Sequence, residues 1–207
     1  MTTIDIYRPK IPENNFAGGL RALQGSIHPG EGQLLTAWAF ESKYACVEIG
    51  SWVGVSSIYI ARGLMAKKES HLHCIDPHSG SMLHQARGIG NTEELWRENV
   101  KRAGVEDWVT LHKAKSEDVL PTWSYGRVGF LFIDGDHRFK NARLDFFGWE
   151  PFLSDDAIVI FHDTDLKGPS KVIEECVIPS GLYVEQRGIR RTRVFRRCYD
   201  RRSKPVR

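Results

Sequence analysis

In the stretch VGFLFIDGDHRF, residues 128–139, an apolar run ends at Asp134, and Asp136 and His137 follow within three positions. Carboxylates are hard oxygen donors for a divalent cation, and an unperturbed imidazole, with a pKa of about 6.5, can accept a proton near neutral pH. The same juxtaposition recurs along the chain. His162 and Asp163 follow AIVIF, Asp76 follows HLHCI, and Glu48 and Gly50 close YACVEIG. Acids capping helices or solvating loops would explain any one of these. Recurrence at the ends of four apolar runs points to one shared site.

Elements that could gather them are legible in the patterning. Strand-like runs recur at 44–49, 71–75, 108–112, 128–133 and 157–161. Helix-like segments lie between them at 56–65, 92–103, 116–120 and 139–152, with Asn91 or Thr92 as the N-cap and Gly104 as the stop of the second. Strands alternating with helices imply parallel pairing with right-handed crossovers. The continuous runs VGFLFI and AIVIF fit central strands buried on both faces. The end, GLYVEQRGIRRTRVFRRCY, reads as two strands around Arg187–Arg190. The fold class is therefore α/β, a doubly wound and mostly parallel sheet. In such sheets chemistry sits beyond the carboxyl ends of the strands, where these residues collect.

Composition bounds the alternatives. The 207 residues suit one well-buried domain, with residues 1–30 an N-terminal extension and 200–207 a basic tail. No apolar stretch approaches the roughly 20 residues of a membrane span, and the N-terminus has no apolar signal region. Cys46 and Cys74 lie in apolar runs and no CxxC pair occurs, so buried reduced thiols and a cytoplasmic location are expected. Residues 187–207 carry ten Lys or Arg against one acid, a net +9, which leaves −6 on the rest of a +3 chain. That basic end is the one feature that could favour nucleic acid; solvated strand faces and a tail are the simpler account of it.

The first crossover reads VEIGSWVGVSSIYIA. Gly50 and Gly54 bracket a turn between strand and helix where backbone can approach a ligand. It lacks the GxGxxG dinucleotide fingerprint. Asp76, at the end of the next strand, suits ribose hydroxyls. Glu48 ahead of a helix N-terminus would repel a pyrophosphate and attract a cationic ligand. The pattern favours S-adenosylmethionine over NAD or ATP.

These residues carry a family resemblance. The chain resembles class I S-adenosylmethionine-dependent methyltransferases, and among them the metal-dependent O-methyltransferases related to the catechol and caffeoyl-CoA enzymes. It looks nearer to their bacterial branch of sugar and macrolide O-methyltransferases and cephalosporin-hydroxylase-like proteins. The likeness runs from about Gly30 to Phe195. The ExGxxxGxS stretch from Glu48 through Gly50, Ser51 and Trp52 to Ser56 matches the first cofactor motif, and GEGQLL at 30–35 resembles the helix start beside the methionine part. CIDPH matches the ribose-binding acid at Asp76, and AKSEDVLP places Ser116 and Glu117 near the adenine. The resemblance implies a seven-stranded Rossmann-like sheet with an antiparallel C-terminal strand pair.

On the reacting side, the resemblance places Asp134 at the cofactor and on a divalent cation, with Asp163 as the second metal carboxylate. His137 falls where catechol-type enzymes carry a catalytic Lys, which makes it the expected general base. Thr164 stands where the family often has an Asn ligand, and His162 is either the substitute ligand or a residue that supports the ligands from behind. Magnesium or manganese is implied, with a nitrogen ligand shifting preference away from magnesium. The long segment PHSGSMLHQARGIGN, 77–91, could border the ligands through His78, Met82 and His84. Trp38, Trp52 and Trp149 could line an apolar wall, although core packing is the default for aromatics. The expected activity is metal-assisted O-methylation of a small-molecule hydroxyl, with no membrane partner and a homo-oligomer left open. RNA methylation and a cofactor-binding module without transfer are the alternatives.

Overall fold

The computed structural model describes residues 27–80 and 92–198. Met82, His84, Asn91, most of the expected N-terminal extension and all of the expected basic tail lie outside the described residues. In chain order the elements are α1 (Pro29–Glu41), β1 (Ala45–Ile49), α2 (Val55–Lys67), β2 (Leu72–Ile75), α3 (Glu93–Ala103), β3 (Val109–His112) and α4 (Ser116–Val119). They continue as β4 (Val128–Ile133), α5 (Phe139–Trp149), β5 (Leu153–Phe161), α6 (Lys167–Val172), β6 (Tyr183–Ile189) and β7 (Thr192–Arg197). The expected boundaries hold to within a few residues. The exceptions are β5, which begins at Leu153, and α6 with its π-helical continuation Ile173–Val177, an element the patterning did not announce.

The seven strands pair in the order β3-β2-β1-β4-β5-β7-β6. β1 to β5 are parallel, and β7 runs antiparallel to both β5 and β6. Central strands are apolar on both faces because each face has its own core. Cys46, Phe130, Phe132, Ile158 and Ile160 point into the layer under α1, α2 and α3. Val47, Leu131, Ile133, Val159 and Phe161 point to the opposite layer with Phe146 and Trp149 of α5. Alternation along a pleated strand makes this division unavoidable. Cys46 and Cys74 are buried free thiols, as expected.

Sheet order reverses between β1 and β4, which creates a topological switch point. There Ile49 pairs with Ile133, and the Asp134 N–H donates to the Ile49 carbonyl at 2.9 Å. Gly50 therefore lies against the start of the loop that carries the acids. Among the described residues no helix is long and apolar enough to cross a membrane.

Candidate active site

The glycine turn is fixed from below. Gly50 has φ +87°, and a β-carbon there would stand 2.3 Å from the Asp134 carbonyl oxygen. Its missing side chain is thus demanded first by the chain itself, before any ligand. Trp52 adopts φ 44° and its N–H donates to Asp76 Oδ2 at 2.7 Å, while the other Asp76 oxygen accepts from the His78 N–H at 2.6 Å. The expected ribose acid therefore also ties the loops after β1 and β2. A carboxylate has about four acceptor sites, so Asp76 keeps capacity for a ligand hydroxyl. Ser51 and Ser56 are buried in this turn, and Trp52 is half-buried against the helical core.

Glu48 takes an unexpected place. It is fully enclosed beneath the turn, where it accepts a hydrogen bond from Ser57, whose Oγ in turn accepts from Trp96 Nε1 at 3.1 Å. Burial pushes its carboxyl up to about 7, against hydrogen bonds from Ser56 and Ser57. Glu48 thus links β1, α2 and α3. Any pull on a cationic ligand acts through the turn and is weakened by partial protonation.

Ser116 is buried at the start of α4 and accepts from Trp149 Nε1 at 2.9 Å, while Glu117 is exposed beside it. Trp149 is core, and Arg196 lies over the Trp38 ring at 5.4 Å. His78, buried with φ 52°, bonds Thr92 Oγ1 through Nδ1 at 2.9 Å. Asp145 of α5 lies in no motif of the sequence. It lies between Ser116 and Gly135, and burial raises its carboxyl to about 7 despite the Ser116 hydrogen bond.

The residues expected at the reacting end converge. One ligand atom from each of Asp134, His162 and Asp163 lies within 4.8 Å of the others. His162 Nδ1 is 3.1 Å from Asp134 Oδ1 and 3.3 Å from Asp163 Oδ1. His137 Nε2 stands 3.2 Å from Asp163 Oδ2 and 3.5 Å from Asp134 Oδ1. Asp163 adopts φ 49°, left-handed backbone that an Asp tolerates better than most residues.

Two further residues complete this cluster. Glu31 closes the α1 capping box, where Oε2 accepts from the His28 N–H at 3.1 Å. Its Oε1 accepts from the Arg191 N–H and Thr192 Oγ1 and faces His162 Nε2 at 3.6 Å. Arg191, in the β6–β7 turn, puts NH1 2.6 Å from Asp163 Oδ1. The E of GEGQLL and the arginine-rich end were both visible in the sequence. Only the sheet closure by β7 shows that they meet at His162 and Asp163.

Electrostatics follow from this crowding. Burial alone would lower His162, but the hydrogen bond and charge of Asp134, with Glu31 and Asp163, raise it to about 10. Burial would raise Glu31, yet His162 and two backbone N–H groups bring it down to about 2. Asp134 is held below the carboxylate range by His137 and His162 against its burial. Burial and the Asp134 charge push Asp163 up. His137 rises through its Asp134 hydrogen bond against burial.

Comparison with known proteins agrees with this geometry. A family model described as a methyltransferase domain matches residues 47–164. The catechol O-methyltransferase of Mycobacterium tuberculosis (strain ATCC 25618 / H37Rv) is 28% identical over 152 residues, 73% of this chain and 61% of that protein. The chain thus spans less than two thirds of that relative's length. Among solved structures, the O-methyltransferase NovP superposes with a TM-score of 0.70 at 16% identity, over 81% of this chain and 79% of that one. TomG from Streptomyces achromogenes, an O-methyltransferase involved in tomaymycin synthesis and solved with S-adenosylmethionine, gives 0.61 at 19% identity, over 84% and 82%. At such identities the structures attest the fold. The strand order, the glycine turn beside the acid cluster and a family match across more than half of the sequence agree: this chain belongs to the methyltransferase domain family.

Proposed function

We propose that the protein is an S-adenosylmethionine-dependent O-methyltransferase acting on a small-molecule hydroxyl with the help of a divalent cation. One observation carries the reading: His137, Asp134, His162 and Asp163 meet at the carboxyl ends of β4 and β5, directly beside the Gly50 turn at the switch point. Likeness to O-methyltransferases, one of them solved with S-adenosylmethionine, supports it.

The residues fit a cation. Two carboxylates and one imidazole form a mixed oxygen and nitrogen donor set, which suits manganese better than magnesium. His162 turns Nδ1 to the acids and Nε2 to Glu31, the carboxylate–histidine arrangement that orients a metal-binding imidazole. Asp134, Asp163 and His162 would hold the ion.

S-adenosylmethionine would supply the methyl group on its sulfonium, and the ion would supply Lewis acidity towards the acceptor oxygen. The turn from Gly50 to Ser56 would seat the cofactor, with Asp76 on the ribose side and Ser116 and Glu117 towards the adenine. His137, oriented by Nε2–H donation to Asp163, would take the hydroxyl proton at Nδ1 as the oxygen attacks the methyl carbon in line. The decisive experiment measures release of S-adenosylhomocysteine across catechols, sugars and polyketides with and without manganese. Binding of S-adenosylmethionine without any release would leave only a binding module.

A further inference from the structure

The arginine-rich end divides once its partners are known. Arg193 pairs with Glu185 and Glu174, Arg197 donates to the Glu150 and Leu153 carbonyls, and Arg196 covers Trp38. Arg191 alone of these reaches the acid cluster. Its backbone is fixed there by N–H donation to Glu31 and by its carbonyl, which accepts from both the Thr164 N–H and Oγ1 at 3.0 Å. A rigid turn thus delivers one guanidinium to Asp163.

The cluster is layered. His162 and Glu31 lie closed at its floor, whereas the His137 and Arg191 side chains are 38% and 43% exposed. They flank opposite oxygens of Asp163, His137 at Oδ2 and Arg191 at Oδ1. A molecule arriving from solvent meets these two groups first, one beside each oxygen of Asp163. Asp163 engages one edge of a guanidinium that has five donors, and among the described residues no other side chain or carbonyl takes the rest. Arg138, the other arginine nearby, is held by Asp136.

We propose that Arg191 anchors an anionic acceptor: it binds a carboxylate of the substrate next to the hydroxyl that His137 deprotonates. The inference rests on the O-methyltransfer reading above and names its acceptor class. A planar fork suits a carboxylate bidentately, and two groups that share Asp163 can meet a hydroxyl and a carboxylate of one small molecule.

The test uses a matched pair of probes, 2,3-dihydroxybenzoate and catechol. Binding is followed by calorimetry with S-adenosylhomocysteine and manganese present, and transfer by product release. Wild type should favour the carboxylate-bearing probe by roughly 10- to 100-fold, the range for a charge-assisted hydrogen bond. Arg191→Gln should bring that ratio towards one, and Arg191→Lys, which keeps the charge without the fork, should retain part of it. Both leave the main-chain bonds of the turn in place. No preference in wild type, or a preference surviving Arg191→Gln, overturns the proposal. So does an equal loss of S-adenosylmethionine affinity in that variant, which would put the guanidinium on the cofactor's carboxylate. Wild type that binds S-adenosylmethionine but shows no preference sinks this inference alone, whereas failure to bind it sinks the methyltransfer reading as well.

Discussion

Gly168 sits so close to His137 that a β-carbon on it would stand 1.8 Å from the His137 carbonyl oxygen and 2.8 Å from the Phe139 nitrogen. The first turn of α6 is thereby pressed onto the backbone that joins β4 to α5. Lys171, one helical turn on, lies over the Phe139 ring at 4.6 Å and adds to the same contact. The backbone that carries the His137 imidazole is thus braced by α6, an element that carries none of the expected site residues.

Gly168→Ala should therefore impair transfer without touching the cofactor end. Backbone atoms cannot swing aside as a flexible side chain can, so α6 or residues 137–139 must shift. Displacement of a reacting group by about 1 Å can cost roughly 100-fold in rate. S-adenosylmethionine affinity, measured by calorimetry, should stay within a few-fold of wild type. A wild-type rate in this variant would count against α6 as the support of His137.

Glu48 gives a stability prediction with a definite sign. Its folded pKa of about 7 lies above the ordinary 4.5, so the native state holds a proton that the unfolded state releases. Stability should fall as pH rises from about 4.5 to about 7 and then level off, a loss on the order of 3 kcal/mol. Glu48→Gln keeps a hydrogen-bonding amide without the charge and should flatten that slope in urea melts. Equal pH slopes in wild type and variant would count against a strained buried carboxyl.

The sheet was legible because its signal is local: apolar runs, turn residues and their alternation with helices are written within windows of a dozen residues. The acids at the strand ends were legible for the same reason, since a parallel sheet sends every strand end to one side. Glu31 and Arg191 were not, because 160 positions separate two residues joined by a hydrogen bond. Antiparallel closure by β7 brings them together, and its register is invisible to local pattern. Glu48 misleads in a different way. It belongs to the first motif, but strand alternation turns it into the core under α2, and that follows only when both faces of β1 are known to be covered.

Metal binding should be linked to protons. His162, raised to about 10 by its acidic neighbours, must lose its proton to donate from Nδ1. Manganese titrated near neutral pH should release close to one proton, read from calorimetry in buffers of different ionisation enthalpy, and affinity should climb with pH. Asp134→Asn and Asp163→Asn should each weaken binding at least 10-fold while the fold persists, since both residues lie beyond strand ends. Wild-type activity insensitive to chelator, with no manganese heat, would remove the ion from the reading.

The last prediction concerns the proton that transfer must discard. His137 is raised above 6.5, first by its hydrogen bond to Asp134 and then by the charges of Asp134 and Asp163, against burial and His162. In nuclear magnetic resonance titrations without divalent ions, the His137 ring should therefore titrate above an exposed histidine. Asp134→Asn and Asp163→Asn should each move it down, because both remove negative charge that favours the imidazolium. A base works only unprotonated, so the rate at saturating substrate should rise with pH through this ionisation, and the rise should begin at lower pH in an active Asp163→Asn enzyme. His137→Ala should lower the maximal rate by roughly 10²- to 10⁴-fold on an unactivated hydroxyl, the scale of a positioned base. The defect should shrink on an acidic phenol, which ionises with less help. If the rising limb persists in His137→Ala at its wild-type position, the proton leaves by another route and His137 is not the base.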